Sequence, residues 1–132
     1  MGFKVHEELM VAVPHKPGVL AAVLGTVAEA GVDVRAFIGY GMGPQNANIH
    51  VIVSDPKKAK AALKKAGYKV ESNDVVVGET KDKRGAGAAI AAKAAAKKIN
   101  IEAAYATGTG KGTGVVVLSA GKSAAKLAKA LS

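Results

Sequence analysis

Apolar residues recur along this chain with two rhythms, and both halves use them in the same order. Leu9 to Val13 is rich in β-formers and stops at Pro14, while Pro17-Gly18 punctuates a loop. From Val19 to Ala30 the spacing lengthens: Leu20, Val23, Leu24 and Val27 fall three and four residues apart, one face of a helix, with Gly31 where a helix stops. Val32 to Tyr40 reads as a strand, Gly41 to Asn46 as a turn, and Asn48 to Val53 as a second strand. Asp55-Pro56 then caps and opens a lysine-rich helix that ends at Gly67. The second half predicts a strand over Val75–Thr80, a loop over Lys81–Gly85 and an alanine helix over Ala86–Lys98. Strands follow over Ile99–Thr107 and Val115–Ser119, joined by the glycine turn Gly108–Gly114, and a closing helix runs from Lys122 to Leu131.

The halves superpose as sequence when the chain is displaced by 67 positions, so that Gly18 falls on Gly85. Val32-Asp33-Val34 then meets Ile99-Asn100-Ile101, Gly41 and Gly43 meet Gly108 and Gly110, and no gap is needed from Leu9 through Val51. Residue kinds agree more than identities, the mark of an old duplication. Each half is β-α-β-β-α, one strand short of the split ferredoxin-like βαββαβ unit. Gly67-Tyr68-Lys69-Val70 supplies that strand in the first half, whereas the second ends at Ser132. The amino terminus, Gly2-Phe3-Lys4-Val5, nearly copies it. The expectation is therefore an α+β chain of two modules, 1–72 and 73–132, with residues 2–5 completing the second module's sheet. The helices should cover one face of antiparallel sheets.

Composition narrows the function. Cysteine is absent, which excludes thiolate chemistry, Cys-zinc sites and disulfides. No amino-terminal signal pattern appears, and no apolar run approaches the roughly 18 residues of a membrane span; a soluble cytoplasmic protein is expected. The net charge of +9 gathers on helices, as at Lys57, Lys58, Lys60, Lys64 and Lys65. A solvated face accounts for it, and a nucleic-acid surface is the competing account.

The repeated loop carries the candidate chemistry. A strand that turns through glycine into a helix aims unpaired N–H groups at one point, where the helix dipole also favours an anion such as a carboxylate. Lys16 and Gly18 in one loop, and Lys83, Arg84 and Gly85 in the other, stand at that point. Asp82 is placed to take an ammonium group, and His15 takes one only weakly when neutral. Val13-Pro14-His15-Lys16-Pro17-Gly18-Val19-Leu20, followed by a helix, Gly31 and Val32-Asp33-Val34, resembles the ACT domain family, whose pattern is Asp-x-Pro-Gly-x-Leu between strand and helix. The resemblance spans the chain as two tandem copies. The first has His15 where the family has Asp; the second keeps Asp82 but has Arg84 in place of Pro.

That resemblance implies a bound amino acid lying between two modules, held by the loop of one and closed over by the second strand of its neighbour. Carried onto this sequence, the site residues are His15, Lys16, Pro17, Gly18, Val19, Leu20, Ile38, Gly39 and Tyr40. Their counterparts in the other half are Asp82, Lys83, Arg84, Gly85, Ala86, Tyr105 and Ala106.

Other motifs fail on context. Ser119-Ala120-Gly121-Lys122-Ser123 ends like a phosphate-binding P-loop, but the first glycine that motif requires is Val116. Gly108–Gly114 joins two strands, whereas a dinucleotide fingerprint opens a helix. His6, His15 and His50 lack metal-ligand spacing, and no nucleophile stands with a base. The expectation is a regulatory, non-catalytic small-molecule sensor without cofactor or metal. It would be a homodimer or higher homo-oligomer, acting on a regulated enzyme and not on a membrane. The alternative is a basic ferredoxin-like nucleic-acid-binding protein, though no strand offers paired aromatics for base stacking.

Overall fold

The computed structural model describes residues 2–81, 83–108 and 110–132. Six strands and four helices follow one another: β1 Phe3–Pro14, α1 Val19–Glu29, β2 Val34–Gly41, β3 Asn46–Val53, α2 Pro56–Lys65 and β4 Lys69–Lys81. Then come α3 Ala86–Ala96, β5 Ala103–Gly108, β6 Thr113–Ser119, a short 3-10 turn over Gly121–Ser123 and α4 Ala124–Leu131. The chain divides into two compact units, Glu7–Asn73 and a second made of Met1–His6 with Asp74–Ser132.

Two strands are longer than the sequence pattern predicts. The short strand at residues 2–5 and the run from Leu9 are one strand, β1; Gly67–Val70 and Val75–Thr80 likewise merge into β4. The polar stretches His6-Glu7-Glu8 and Ser72-Asn73-Asp74 hide that continuity, because they interrupt the apolar alternation without interrupting the extended backbone. Each long strand therefore serves both units. Within Glu7–Asn73 the strand order is β2-β3-β1-β4, and within the other unit β1-β4-β6-β5. Each is the four-strand order of a ferredoxin-like βαββαβ fold.

Antiparallel register fixes which residues face the helices. Leu9 lies opposite Val51, Val11 opposite Ile49 and Val13 opposite Ala47. These side chains meet Val23 and Val27 of α1 and Ala59 and Leu63 of α2 in one buried cluster. A spacing of four puts each helical pair on a single face, and a spacing of two does the same in the strand. The other unit has its own core: Phe3, Val76, Val116 and Leu118 from strands, Ile90 and Ala94 from α3, and Leu127 and Leu131 from α4. Phe3 lies over Gly78, where a Cβ would overlap its ring. The glycine makes room for the large aromatic of that core, and the amino-terminal strand completes the unit. Ser132 Oγ donates to the Ala128 carbonyl at 2.7 Å and lies 3.3 Å from the Phe3 carbonyl, which places the last residue beside the same strand.

Three helices end alike. At α1 the Gly31 N–H donates to the Ala28 carbonyl (2.9 Å) and the Val32 N–H to the Val27 carbonyl (3.3 Å), a Schellman motif with Gly31 at φ 76°. This motif takes up Val32, so β2 starts at Val34 and not at Val32 as the pattern predicts. At α2 Gly67 holds the same position at φ 94°. At α3 the position falls to Lys98, at φ 57° the one positive-φ residue other than glycine among those described. The start of α2 is capped as its sequence indicates: Lys58 N–H donates to Asp55 Oδ1 at 3.1 Å and Pro56 occupies the first turn.

Candidate functional site

In the unit Glu7–Asn73 the loop between β1 and α1 forms one wall of a cavity of about 360 Å³. Gly18 is its pivot. It caps α1 in the left-handed region, φ 89°, and no side chain caps the helix. A Cβ on Gly18 would meet nothing within 4 Å, so the position requires glycine for its backbone conformation and not for space. The Ala22 N–H donates to the Gly18 carbonyl at 3.0 Å and begins the helical ladder. The His15 N–H donates to the Gln45 carbonyl at 2.9 Å, which binds the loop to the β2–β3 turn.

The opposite wall comes from β2 and β3. Gly39 and Gly41 stand opposite Ile49 and Ala47 in register, on the helix side of the sheet. A Cβ on Gly41 would come within 3.2 Å of two atoms of the His15 ring, and one on Gly39 within 3.8 Å of Leu20. Gly41 thus lets the imidazole lie close to the strand, while at Gly39 the leucine is at ordinary contact distance. Of the residues singled out from sequence, His15, Lys16, Pro17, Gly18, Val19, Leu20, Gly39 and Tyr40 line this cavity. Ile38 does not; it pairs with His50 in the sheet. Val13, Gly41, Ala47, Asn48 and Ile49 also line it. The sequence pattern places Gly41 in a turn, whereas in the structure it ends β2 and lies under His15.

The lining contains no acidic residue, while Lys16 and His15 are both basic. With the helix amino terminus beside them, the cavity suits an anion. A second cavity of about 410 Å³ shares Lys16, Pro17 and Gly18 and reaches Tyr68.

In the other unit the counterparts separate. Lys83, Arg84, Gly85 and Ala86 lead into α3, with Gly85 capping it at φ 85°. Asp82 lies outside the described residues, as does Thr109 of the glycine turn. Tyr105 and Ala106 instead line a cavity of about 330 Å³ beside α3, together with Gly87, Ile90 and Ala91 and without the loop.

A polar chain crosses the first unit's sheet on the face away from the helices. His50 Nδ1 lies 2.8 Å from Glu8 Oε1, and His50 Nε2 lies 2.8 Å from the Tyr40 hydroxyl. A carboxylate only accepts, so Nδ1 donates to Glu8. The Tyr40 and His50 rings also stack, with centroids 5.5 Å apart. Glu8 is buried, at 3 % exposure. Sequence spacing could not pair Glu8 with His50, which are 42 residues apart. Among the described residues no group of three or more His, Cys, Asp or Glu is placed to hold a metal, and no helix is long and apolar enough to cross a membrane.

The ACT domain family model matches residues 8–68, from within β1 to the residue before β4. Residues 8–68 are an ACT domain. Solved structures extend the likeness to the full fold. A protein of Bacteroides thetaiotaomicron, BT0572, is 26 % identical over 98 % of this chain and 88 % of its own, with a TM-score of 0.87. The regulatory subunit of aspartate kinase from Thermus thermophilus, in its ligand-free form, is 20 % identical over 99 % of this chain and 95 % of its own, TM-score 0.68. The corresponding subunit from Thermus flavus is similar at 21 % identity, over 99 % and 95 % of the two chains, TM-score 0.67. No curated protein matches this chain in sequence.

Proposed function

We propose that this chain is a regulatory sensor that binds a free amino acid or a similar small carboxylate at the βα loop of its ACT domain. The observation that carries the reading is the cavity under Gly18, with Lys16 and His15 at its rim and no acidic side chain in its lining. The carboxylate would sit at the amino terminus of α1, where N–H groups and the helix dipole favour negative charge, and the side chain would lie against Leu20, Ile49 and the low floor at Gly39. The unit built on residues 73–132, with the amino-terminal strand, acts as a second module of the same kind. The sensor performs no catalysis of its own. It works as a homo-oligomer or as an effector subunit of an enzyme, and ligand shifts a population between states with different affinity for the partner.

The test is a thermal-shift screen of the twenty amino acids and their 2-oxo acids in moderate salt. A ligand at a hundred times its Kd adds about 2.7 kcal/mol to stability, which is several degrees for a chain this small. One or two compounds should raise the midpoint selectively. Lys16→Ala should weaken that ligand about tenfold, the loss of one charge-assisted hydrogen bond. A flat screen, together with steeply salt-dependent RNA binding, would replace the sensor by a nucleic-acid-binding role.

A further inference from the structure

Donors outnumber acceptors around the Gly18 cavity. Lys16 brings an ammonium and His15 an imidazole, and neither side chain has a hydrogen bond or ion pair among the described residues. At the start of α1 the Leu20 and Ala21 N–H groups likewise have no acceptor among the described residues, because the helical ladder begins with Ala22 on Gly18. The other polar groups do not answer these donors. The Tyr40 hydroxyl lies 2.8 Å from His50 Nε2, and Asn48 carries both an amide N–H and a carbonyl, so it favours neither role. β2 is the outer strand of its sheet, and the free backbone of such a strand presents N–H and C=O groups alike. No carboxylate lines the cavity.

An α-amino acid matches this balance at one end only. Its carboxylate suits the donors, but its ammonium adds further donors and a positive charge beside Lys16, with no anion to receive them. A 2-oxo acid has the same carboxylate and, in place of the ammonium, a ketone oxygen that only accepts. We infer that the cavity selects a 2-oxo acid over the amino acid with the same side chain. The apolar wall of Val13, Leu20 and Ile49 fits that side chain best when it is aliphatic. Lys16 and the first N–H groups of α1 hold the carboxylate. His15 has a ring N–H to give in either protonation state, and it donates to the ketone. The inference rests on the sensor reading for the seat of the carboxylate and adds which group stands next to it.

The experiment is calorimetric titration of the full chain with matched pairs at constant ionic strength: alanine, valine, leucine and phenylalanine, each against its own 2-oxo acid. The expected result is that an aliphatic 2-oxo acid binds about tenfold tighter than its amino acid, or better. His15→Asp puts an anion into an exposed loop and should reverse the order, weakening the 2-oxo acid and strengthening the amino acid. His15→Asn, which keeps a donor without adding charge, should leave the order as it is. Circular dichroism confirms that both variants keep the fold. An amino acid that binds the wild-type chain as tightly as its 2-oxo acid, or tighter, would overturn the inference and leave the sensor reading standing. So would an order that His15→Asp does not move. Binding by no member of any pair would overturn the inference as well, and the sensor reading would fall with it only if the wider amino-acid screen is also flat.

Discussion

The two units solve the same folding problem with different interiors. Their strand order, helix pairing and left-handed glycine caps at Gly18 and Gly85 are alike. In the unit Glu7–Asn73 Val23 and Val27 of α1 are buried with Leu24 packed beside them, and a buried polar pair crosses the far face of its sheet. In the other unit the helix is mostly alanine, and at the displaced positions Glu8 and His50 become Val75 and Val117, both buried. The difference teaches that backbone register and caps specify this fold. Side-chain content can then vary from charged to apolar at a single position.

The largest predicted effect tests whether the amino-terminal strand holds its unit together. Phe3 is buried at 9 % exposure, lies over Gly78 and has Tyr68 as its near-copy in the first half. Phe3→Ala should cost about 3–5 kcal/mol, as deletions of a buried aromatic do. Tyr68→Ala should cost less, because Tyr68 is only partly buried. Urea unfolding followed by circular dichroism measures both. Equal small losses would mean that Phe3 is decoration and not part of the core.

The buried pair gives the next largest effect and the sharpest contrast. Glu8→Val alone leaves His50 Nδ1 without its carboxylate in a site only 13 % exposed at the histidine, and should cost about 3 kcal/mol. Glu8→Val with His50→Val copies the second half, and should return most of that loss, since replacing both partners of a buried hydrogen bond by apolar groups is often nearly neutral in stability. The double-mutant cycle in urea is the measurement. If the double variant is as unstable as the single, the network contributes by more than mutual satisfaction, and the two sheet faces are not interchangeable.

The sequence discloses these features unevenly, and the reasons are physical. Helices α1 and α2 are legible because Val23 with Val27, and Ala59 with Leu63, repeat at one turn's spacing and end at glycine. The loop at Gly18 is legible because few residues tolerate its φ. The joins within β1 and β4 are not, since Glu8 breaks the apolar alternation and bonds a histidine 42 residues away. The wall of the first cavity was half visible: Gly39 and Tyr40 stood out by family resemblance, whereas Gly41 needed the β2–β3 register to bring it under His15. The second cavity is lined by Gly87, Ala91 and Ala104, whose small side chains carry no apolar rhythm by which a sequence reveals a cavity.

The smallest effect separates backbone from side chain at the shared helix end. Lys98 occupies at φ 57° the position that Gly31 fills at φ 76°, with the same pair of bonds, Lys98 N–H to Ala95 and Ile99 N–H to Ala94. A residue with a Cβ is disfavoured in the left-handed region by roughly 1 kcal/mol relative to glycine. Lysine recovers part of this, because a cation near a helix carboxyl terminus is stabilised by a few tenths of a kcal/mol, more at low salt. Lys98→Gly should therefore stabilise the chain by about 0.5–1 kcal/mol, and Gly31→Lys should destabilise it by a similar amount. The gain at Lys98 should grow as salt screens the charge term that lysine supplies. Thermal midpoints at low and high salt measure it. A gain independent of salt would assign the whole difference to backbone conformation.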